Sequence, residues 1–271
     1  MLAQLFDAAC LVSPEIRRFL IRNWFQSLSG LDREALMIFM NLGYAPLDPD
    51  AEHIPLSDLD AIDSYCIQMY HHVASATDLR GADVLEVGSG RGGGASYIMR
   101  YLKPQSLTGL DISKKAVTFC NRYHRVEGLR FLHGDAEALP FDDHTFDAVV
   151  NIESSYGYGH IERFLDEVFR VLRPGGHFLF ADYRSWENIN TLRKQLLSAG
   201  FCVLKEERIT ANVLKALDLD QERKLRLIQQ KVPVLLRNVF YYFAAMQGSE
   251  MYQALNTGKV DYRSFVLSKS K

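Results

Sequence analysis

Between residues 81 and 182 the sequence alternates short apolar runs with amphipathic stretches, and no other feature narrows the possible folds as much. The runs 83–87, 107–110, 129–133, 146–151 and 177–182 read as strands, and the stretches 95–102, 114–124 and 161–172 between them read as helices. Parallel strands need a long crossover, and a helix supplies one that packs back on the sheet with right-handed sense. The alternation therefore predicts an α/β domain with a largely parallel sheet.

Two further zones flank this core. Residues 1–80 are expected to be a mostly helical extension, with helices over Pro14–Gln26 and 62–76 and a loop over 41–55, where Gly43, Pro46, Pro49 and Pro55 cluster. Residues 183–271 finish the sheet: a helix over 189–199 is followed by Gly200 as its C-cap, and strands are expected over 201–209 and 262–268. Between those two strands lie about fifty residues of helical pattern (about 211–260) that include Phe240, Tyr241, Tyr242, Phe243 and Tyr252. Ordinary hairpin loops are far shorter, so this insert is expected to be functional, a lid over an apolar substrate.

Composition removes several classes of function. With 271 residues, 48% of them hydrophobic, the chain can bury one sizeable core plus a helical annex. A formal net charge of -2 argues against a nucleic-acid partner. Cys10, Cys66, Cys120 and Cys202 lie far apart without the spacing of a zinc or redox site. His71 and His72 are adjacent and would point to different helix faces, so no metal is expected there. No apolar run is long enough to span a bilayer, and the first residues lack the pattern of a secretory signal, so a cytoplasmic protein is expected. No feature speaks to oligomeric state.

The chemistry is carried by the segment after each strand. After the first comes Glu86-Val-Gly88-Ser-Gly90-Arg-Gly92-Gly93-Gly94, where glycines let the backbone turn tightly and approach a bulky ligand. Gly88, Gly90 and Gly93 also satisfy the spacing of a dinucleotide loop, and Asp111, ending the second strand, can accept from two ribose hydroxyls in either setting. Two later elements break the tie. Gly134-Asp135-Ala136-Glu137 offers an acid for an exocyclic adenine amine and a backbone amide for a ring nitrogen. Leu139–Asp147 and Leu172-Arg173-Pro174-Gly175-Gly176 come at offsets a nicotinamide enzyme has no need for.

Together these elements resemble class I S-adenosylmethionine-dependent methyltransferases of the methyltransferase type 11 group. The blocks 92–97, 107–111, 134–143 and 165–176 resemble in particular the mycobacterial phthiotriol/phenolphthiotriol dimycocerosate methyltransferases, with weaker similarity over Asn41–Tyr44 and around Gln247-Gly248. The glycine loop is more regular here than in those enzymes, which points to a relative with its own substrate. The resemblance implies a Rossmann-like seven-stranded, mostly parallel sheet with an antiparallel last strand, and S-adenosyl-L-methionine as cofactor. The expected cofactor-binding set is Tyr44, Glu86, Gly88, Gly90, Gly92, Asp111, Ile112, Asp135, Ala136, Asn151 and Glu153. Tyr44 is included because similar enzymes close a tyrosine over the cofactor at this place.

The resemblance further implies O-methylation of a hydroxyl on a bulky lipid or polyketide-type natural product. The reaction is an in-line displacement that needs position and, for an alcohol, a base. Residues 151–160 should face the transferred methyl, because ligands sit beyond the carboxyl ends of strands in open α/β sheets. His160 titrates nearest neutrality and is the first choice as base. Tyr156, where related enzymes often carry a histidine, is the second. A C-methyltransferase acting on an isoprenoid or polyketide-derived product is the alternative, with Tyr156 and Tyr158 facing a carbocation. A nicotinamide oxidoreductase leaves the later motifs unexplained, and intact glycines with Asp111 argue against a catalytically silent scaffold.

Overall fold

A computed structural model of the chain describes residues 13, 16, 35, 37–51 and 54–270. The expected helix over Pro14–Gln26 and Cys10 lie almost wholly outside the described residues. A seven-stranded sheet runs in the order β3-β2-β1-β4-β5-β7-β6. The strands are β1 (Asp83–Val87), β2 (Ser106–Asp111), β3 (Leu129–His133), β4 (Phe146–Ile152), β5 (Leu172–Ser185), β6 (Phe201–Arg208) and β7 (Val260–Lys269). The first five are parallel neighbours, and β7 inserts antiparallel between β5 and β6. The expected sheet is thus present, with the last strand in an interior position.

Period-two alternation distributes each strand between two layers. On β1, Val84 joins the core cluster of one layer, while Leu85 and Val87 join that of the other. After a single helical turn, α1 (Asp58–Ala61), the first layer is covered by α2 (Ser64–Ala74), α3 (Gly93–Tyr97) and α4 (Lys114–Tyr123). The second is covered by α5 (Ile161–Val171) and α6 (Ile189–Ser198), whose Phe164, Leu165, Val168, Leu192 and Leu196 are fully buried. On β1 the same alternation puts Glu86 on the α2 side, where a carboxylate has no apolar reason to be.

Some boundaries move. Helix α3 is short and passes into a single π turn, Ile98–Leu102. Strand β5 begins at Leu172 rather than at residue 177, because Leu172 pairs with Phe146 across a register shift that absorbs the glycines. Gly200 adopts φ 94° just past α6, the left-handed geometry expected of it. The insert is mainly helical: α7 (Thr210–Lys231), α8 (Arg237–Phe243) and α9 (Glu250–Asn256), joined by short connections. Helix α7 packs Val213 and Leu217 on the first layer, so the insert leans over the α2 side of the sheet.

Candidate active site

The carboxyl ends of β1, β2 and β4 open into a cavity of about 1970 Å³, mouth included. Its floor is the loop after β1. Gly88 (φ 76°) and Gly90 (φ 52°) hold left-handed conformations that side chains disfavour. A Cβ at Gly88 would overlap Ser154 Oγ, so nothing larger than hydrogen fits there. The amides of Gly88 and Ser89 donate to Leu110 O (2.8 and 3.1 Å), tying the loop to the end of β2.

Asp111 sits at that end, and its two oxygens accept from Gly90 N and Ser113 N, both at 2.8 Å. Burial pushes its carboxyl up to about 6, against the pull of those two amides. Ile112, Asp135 and Ala136 line the same end of the cavity. Glu137 N donates to Asp135 Oδ1 (3.0 Å) and fixes that turn.

Glu86 lies behind the loop, only 1% exposed, and accepts from Tyr70 OH at 2.7 Å. Its Oε2 has no hydrogen-bond partner, and burial raises the carboxyl to about 8. Gly92 is left-handed (φ 78°) and packs under Phe131 and His124, so it shapes the helix start without facing the cavity. Asn151 is buried beneath the loop, its Nδ2 2.9 Å from Val87 O and 2.7 Å from Ser154 Oγ. Glu86, Gly92 and Asn151 therefore support the cradle from behind, whereas Gly88, Gly90, Asp111, Ile112, Asp135, Ala136 and Glu153 face it.

The segment after β4 supplies the other wall. Glu153 adopts φ 48°, an unfavourable conformation for its residue type. Its Oε1 accepts from Leu42 N and Tyr262 OH, both at 2.8 Å, and burial raises the carboxyl to about 7. Tyr156 lines the cavity and stacks on Tyr183 at 5.0 Å. Asp182, 1% exposed, accepts from Ser155 Oγ and Tyr156 N and so fixes that loop from below. Burial, with the Asp182 and Glu153 charges beside it, pushes the Tyr156 phenol well above its ordinary value.

Two expected site residues lie elsewhere. His160 is outside the cavity lining. It occupies the N-cap position of α5, and the amides of Gly159 (2.8 Å) and His160 (3.2 Å) donate to Oε1 of Glu137, a residue that does line the cavity. Tyr44 is also outside the lining: its amide donates to Tyr65 O (2.9 Å) and its ring stacks on His72 at 4.3 Å. Next door, His71 Nδ1 pairs with Tyr97 OH at 2.7 Å, so the two histidines diverge.

The cover over the loop is instead the strap 37–42. Met40 Cε lies 2.5 Å from where a Gly90 Cβ would be, and Ile38 O 2.7 Å from where a Gly93 Cβ would be. Helix α7 grips the strap and its continuation: Lys224 Nζ donates to Leu42 O (3.0 Å), Asn212 exchanges bonds with Ala45, and Lys215 Nζ reaches Pro46 O (2.7 Å). Above it, Leu227 and Ile228 of α7 and Phe240 and Phe243 of α8 make an apolar wall. The strap belongs to no periodic motif, and although Tyr70 falls in the helix expected over 62–76, nothing in its spacing says that it meets Glu86; the aromatic stripe of α8 was foreseeable.

The donor set fits S-adenosylmethionine. Its ribose diol would meet the buried carboxylate Asp111 and its adenine amine Asp135, while the ammonium of its methionine end would lie toward the side of the loop that Glu86 backs. The glycines at 88 and 90 give the backbone approach a bulky sulfonium ligand needs. A family model described as a methyltransferase domain matches residues 85–180. The phthiotriol/phenolphthiotriol dimycocerosates methyltransferase of Mycobacterium tuberculosis is 39% identical, over 92% of this chain and 91% of that one. A fatty-acid O-methyltransferase of Mycolicibacterium smegmatis is 38% identical, over 86% and 84%. The solved cyclopropane synthase of Mycobacterium tuberculosis, only 16% identical, covers 89% of this chain and 95% of its own with a TM-score of 0.67, which speaks for the fold. From the cradle, the family match and the near full-length relatives together, the chain is an S-adenosylmethionine-dependent methyltransferase and belongs to the family of the phthiotriol/phenolphthiotriol dimycocerosates methyltransferases.

Proposed function

We propose that the enzyme O-methylates a hydroxyl on a bulky lipid or polyketide-type acceptor, with Glu153 taking the proton. The observation that carries this is the continuity of one cavity, which runs from the glycine cradle past Glu153 and Tyr156 to the apolar wall of Leu227, Ile228, Phe240 and Phe243. The names of the two relatives, one acting on a phthiotriol and one on a fatty acid, support an acceptor of this class.

The bound cofactor supplies an activated methyl on a sulfonium. The chain's own residues then do three things. The apolar wall excludes water and holds the acceptor's hydrocarbon part. Tyr156, with a phenol that resists ionisation, orients the acceptor oxygen by hydrogen bonding rather than removing its proton. Glu153, with proton affinity near neutrality and a strained backbone beside the cavity, accepts that proton as the new O–C bond forms. His160, outside the lining, has no such role in this reading.

The test is kcat for Glu153→Gln against His160→Ala, on a hydroxylated lipid acceptor identified by screening. Glu153→Gln is expected to lose about 10²–10⁴-fold, the usual range for a general base, while His160→Ala stays close to the parent. The reverse ranking overturns the assignment. The stacked Tyr156–Tyr183 pair also offers aromatic faces to a cationic centre, which favours C-methylation as a second reading. Carbon NMR of the product made with a labelled methyl donor separates the two, and a new C–C bond would sink the O-transfer proposal.

A further inference from the structure

From Arg223 to Ser249 the chain carries five cations, Arg223, Lys224, Arg226, Lys231 and Arg237, and no acid. Elsewhere 26 cations face 33 acids. Arg223 is ion-paired with Asp63 and Asp220 and Lys224 is turned onto Leu42 O, so the basic residues that flank the end of α7 and the following turn are Arg226, Lys231 and Arg237. Between α7 and α8 the segment turns through a single 3₁₀ turn, Val234–Leu236. At that turn Val234 is 73% exposed and Leu235 is 87% exposed. Scattered exposed aliphatic residues are ordinary; two adjacent ones this exposed, on a turn with Lys231 and Arg237 close by in sequence on either side, are not.

The turn is braced. Leu236 N donates to Pro233 O (2.9 Å), and the Arg237 guanidinium donates to Val232 O (3.1 Å) and Gln229 O (2.6 Å), closing the carboxyl end of α7. The apolar pair is thereby held outward. Arg226 lies farther back on α7 with its side chain 63% exposed, and its acidic neighbour Glu222 is more exposed still at 3.4 Å. A surface ion pair of that kind does little to neutralise it toward a larger field. One turn inward, Ile228 and Phe240 line the cavity.

We propose that this tip docks the enzyme on an anionic lipid bilayer, with Val234 and Leu235 sunk into the interface and Arg226, Lys231 and Arg237 against lipid phosphates. Protruding aliphatic side chains with a basic collar are what an interface with apolar depth and negative headgroups rewards. An acidic partner protein would be met by a flat or grooved patch with aromatic anchors, and the tip is an exposed aliphatic turn. Docked this way, the enzyme has its apolar wall beside the bilayer, so a lipid acceptor enters without crossing water. Docking at the tip stands apart from the choice of acceptor or base.

Co-sedimentation of the whole protein with vesicles tests it, using phosphatidylcholine alone and phosphatidylcholine enriched in phosphatidylglycerol. Binding to the anionic vesicles is expected to exceed binding to the neutral ones by about a hundredfold for three cations at the surface, and to weaken in high salt. The double variant Val234→Ser, Leu235→Ser is expected to bind anionic vesicles about tenfold less or weaker still, from the lost apolar burial. The same variant should retain the parent's S-adenosylmethionine affinity by calorimetry, which shows that the insert is folded. Failure of the parent to bind anionic vesicles overturns the proposal, as does undiminished binding by the folded variant. Retention of an acidic carrier protein in place of vesicles also overturns it.

Discussion

Asp111→Asn is the sharpest test of the cradle. Asp111 already satisfies Gly90 N and Ser113 N with one oxygen each, and the same two oxygens remain to receive the ribose hydroxyls. An amide keeps only one acceptor, so its nitrogen must face one of the two backbone N–H groups. Hydrogen bonds to a charged acceptor contribute about 1.5–3 kcal/mol against about 0.5–1.5 for neutral ones. Two of them weakened, with one replaced by a donor, give a loss of about 3 kcal/mol, or some hundredfold in Kd. Isothermal titration calorimetry with S-adenosylmethionine, with NAD as the control ligand, reads this directly. The wild-type carboxyl is pushed up to about 6, so its affinity should fall steeply as the pH drops below 6, while the variant's affinity should be flat through the same range. A variant that binds within about threefold of wild type, or that shares its acid sensitivity, would refute the assignment of Asp111 to the ribose.

Three buried carboxyls also set how stability follows pH. Asp111, Glu153 and Glu86 are raised to about 6, 7 and 8, so the folded state holds their protons longer than the unfolded chain does. Their contribution to stability should therefore decline as pH rises from about 5 to 8, against the opposite trend of His71, His72 and His124, whose burial lowers their pKa; the melting temperature of ligand-free Glu86→Gln should gain on that of the parent as the pH rises, and an unchanged difference between the two would contradict it. Gly88→Ala combines a left-handed φ with an overlap on Ser154. It should lose about 2–5 kcal/mol in urea unfolding from backbone strain and overpacking, and a loss under about 1 kcal/mol would show that the loop relaxes freely.

The parallel core was readable because each strand ends in chemistry that interrupts its periodicity: Gly88, Asp111, Asp135 and Pro174 all punctuate apolar runs. The strands 83–87 and 129–133 keep the bounds read from the sequence. What spacing could not reveal depends on long-range packing. Glu137, far from His160 in sequence, accepts from the amides of Gly159 and His160 and fixes the start of α5, and the histidine falls outside the cavity lining. Glu86 reads as a motif residue, yet only the fold brings Tyr70 of α2 against it. The strap lies beside a proline-rich region where nothing periodic marks which residue will cover Gly90. Intrinsic pKa drew attention to His160, whereas the upward shift of the Glu153 carboxyl to about 7 comes from burial that only the fold reveals.

The strap's bonding has a kinetic meaning. Met40 covers Gly90, while two residues on Leu42 is tied at once to Glu153 of the catalytic wall and to Lys224 of the insert. Lifting the strap to release the spent cofactor therefore also pulls on Glu153 and loosens α7. If exchange of the nucleoside and of the acceptor both require that opening, turnover should run as one discharge and one reload per cycle.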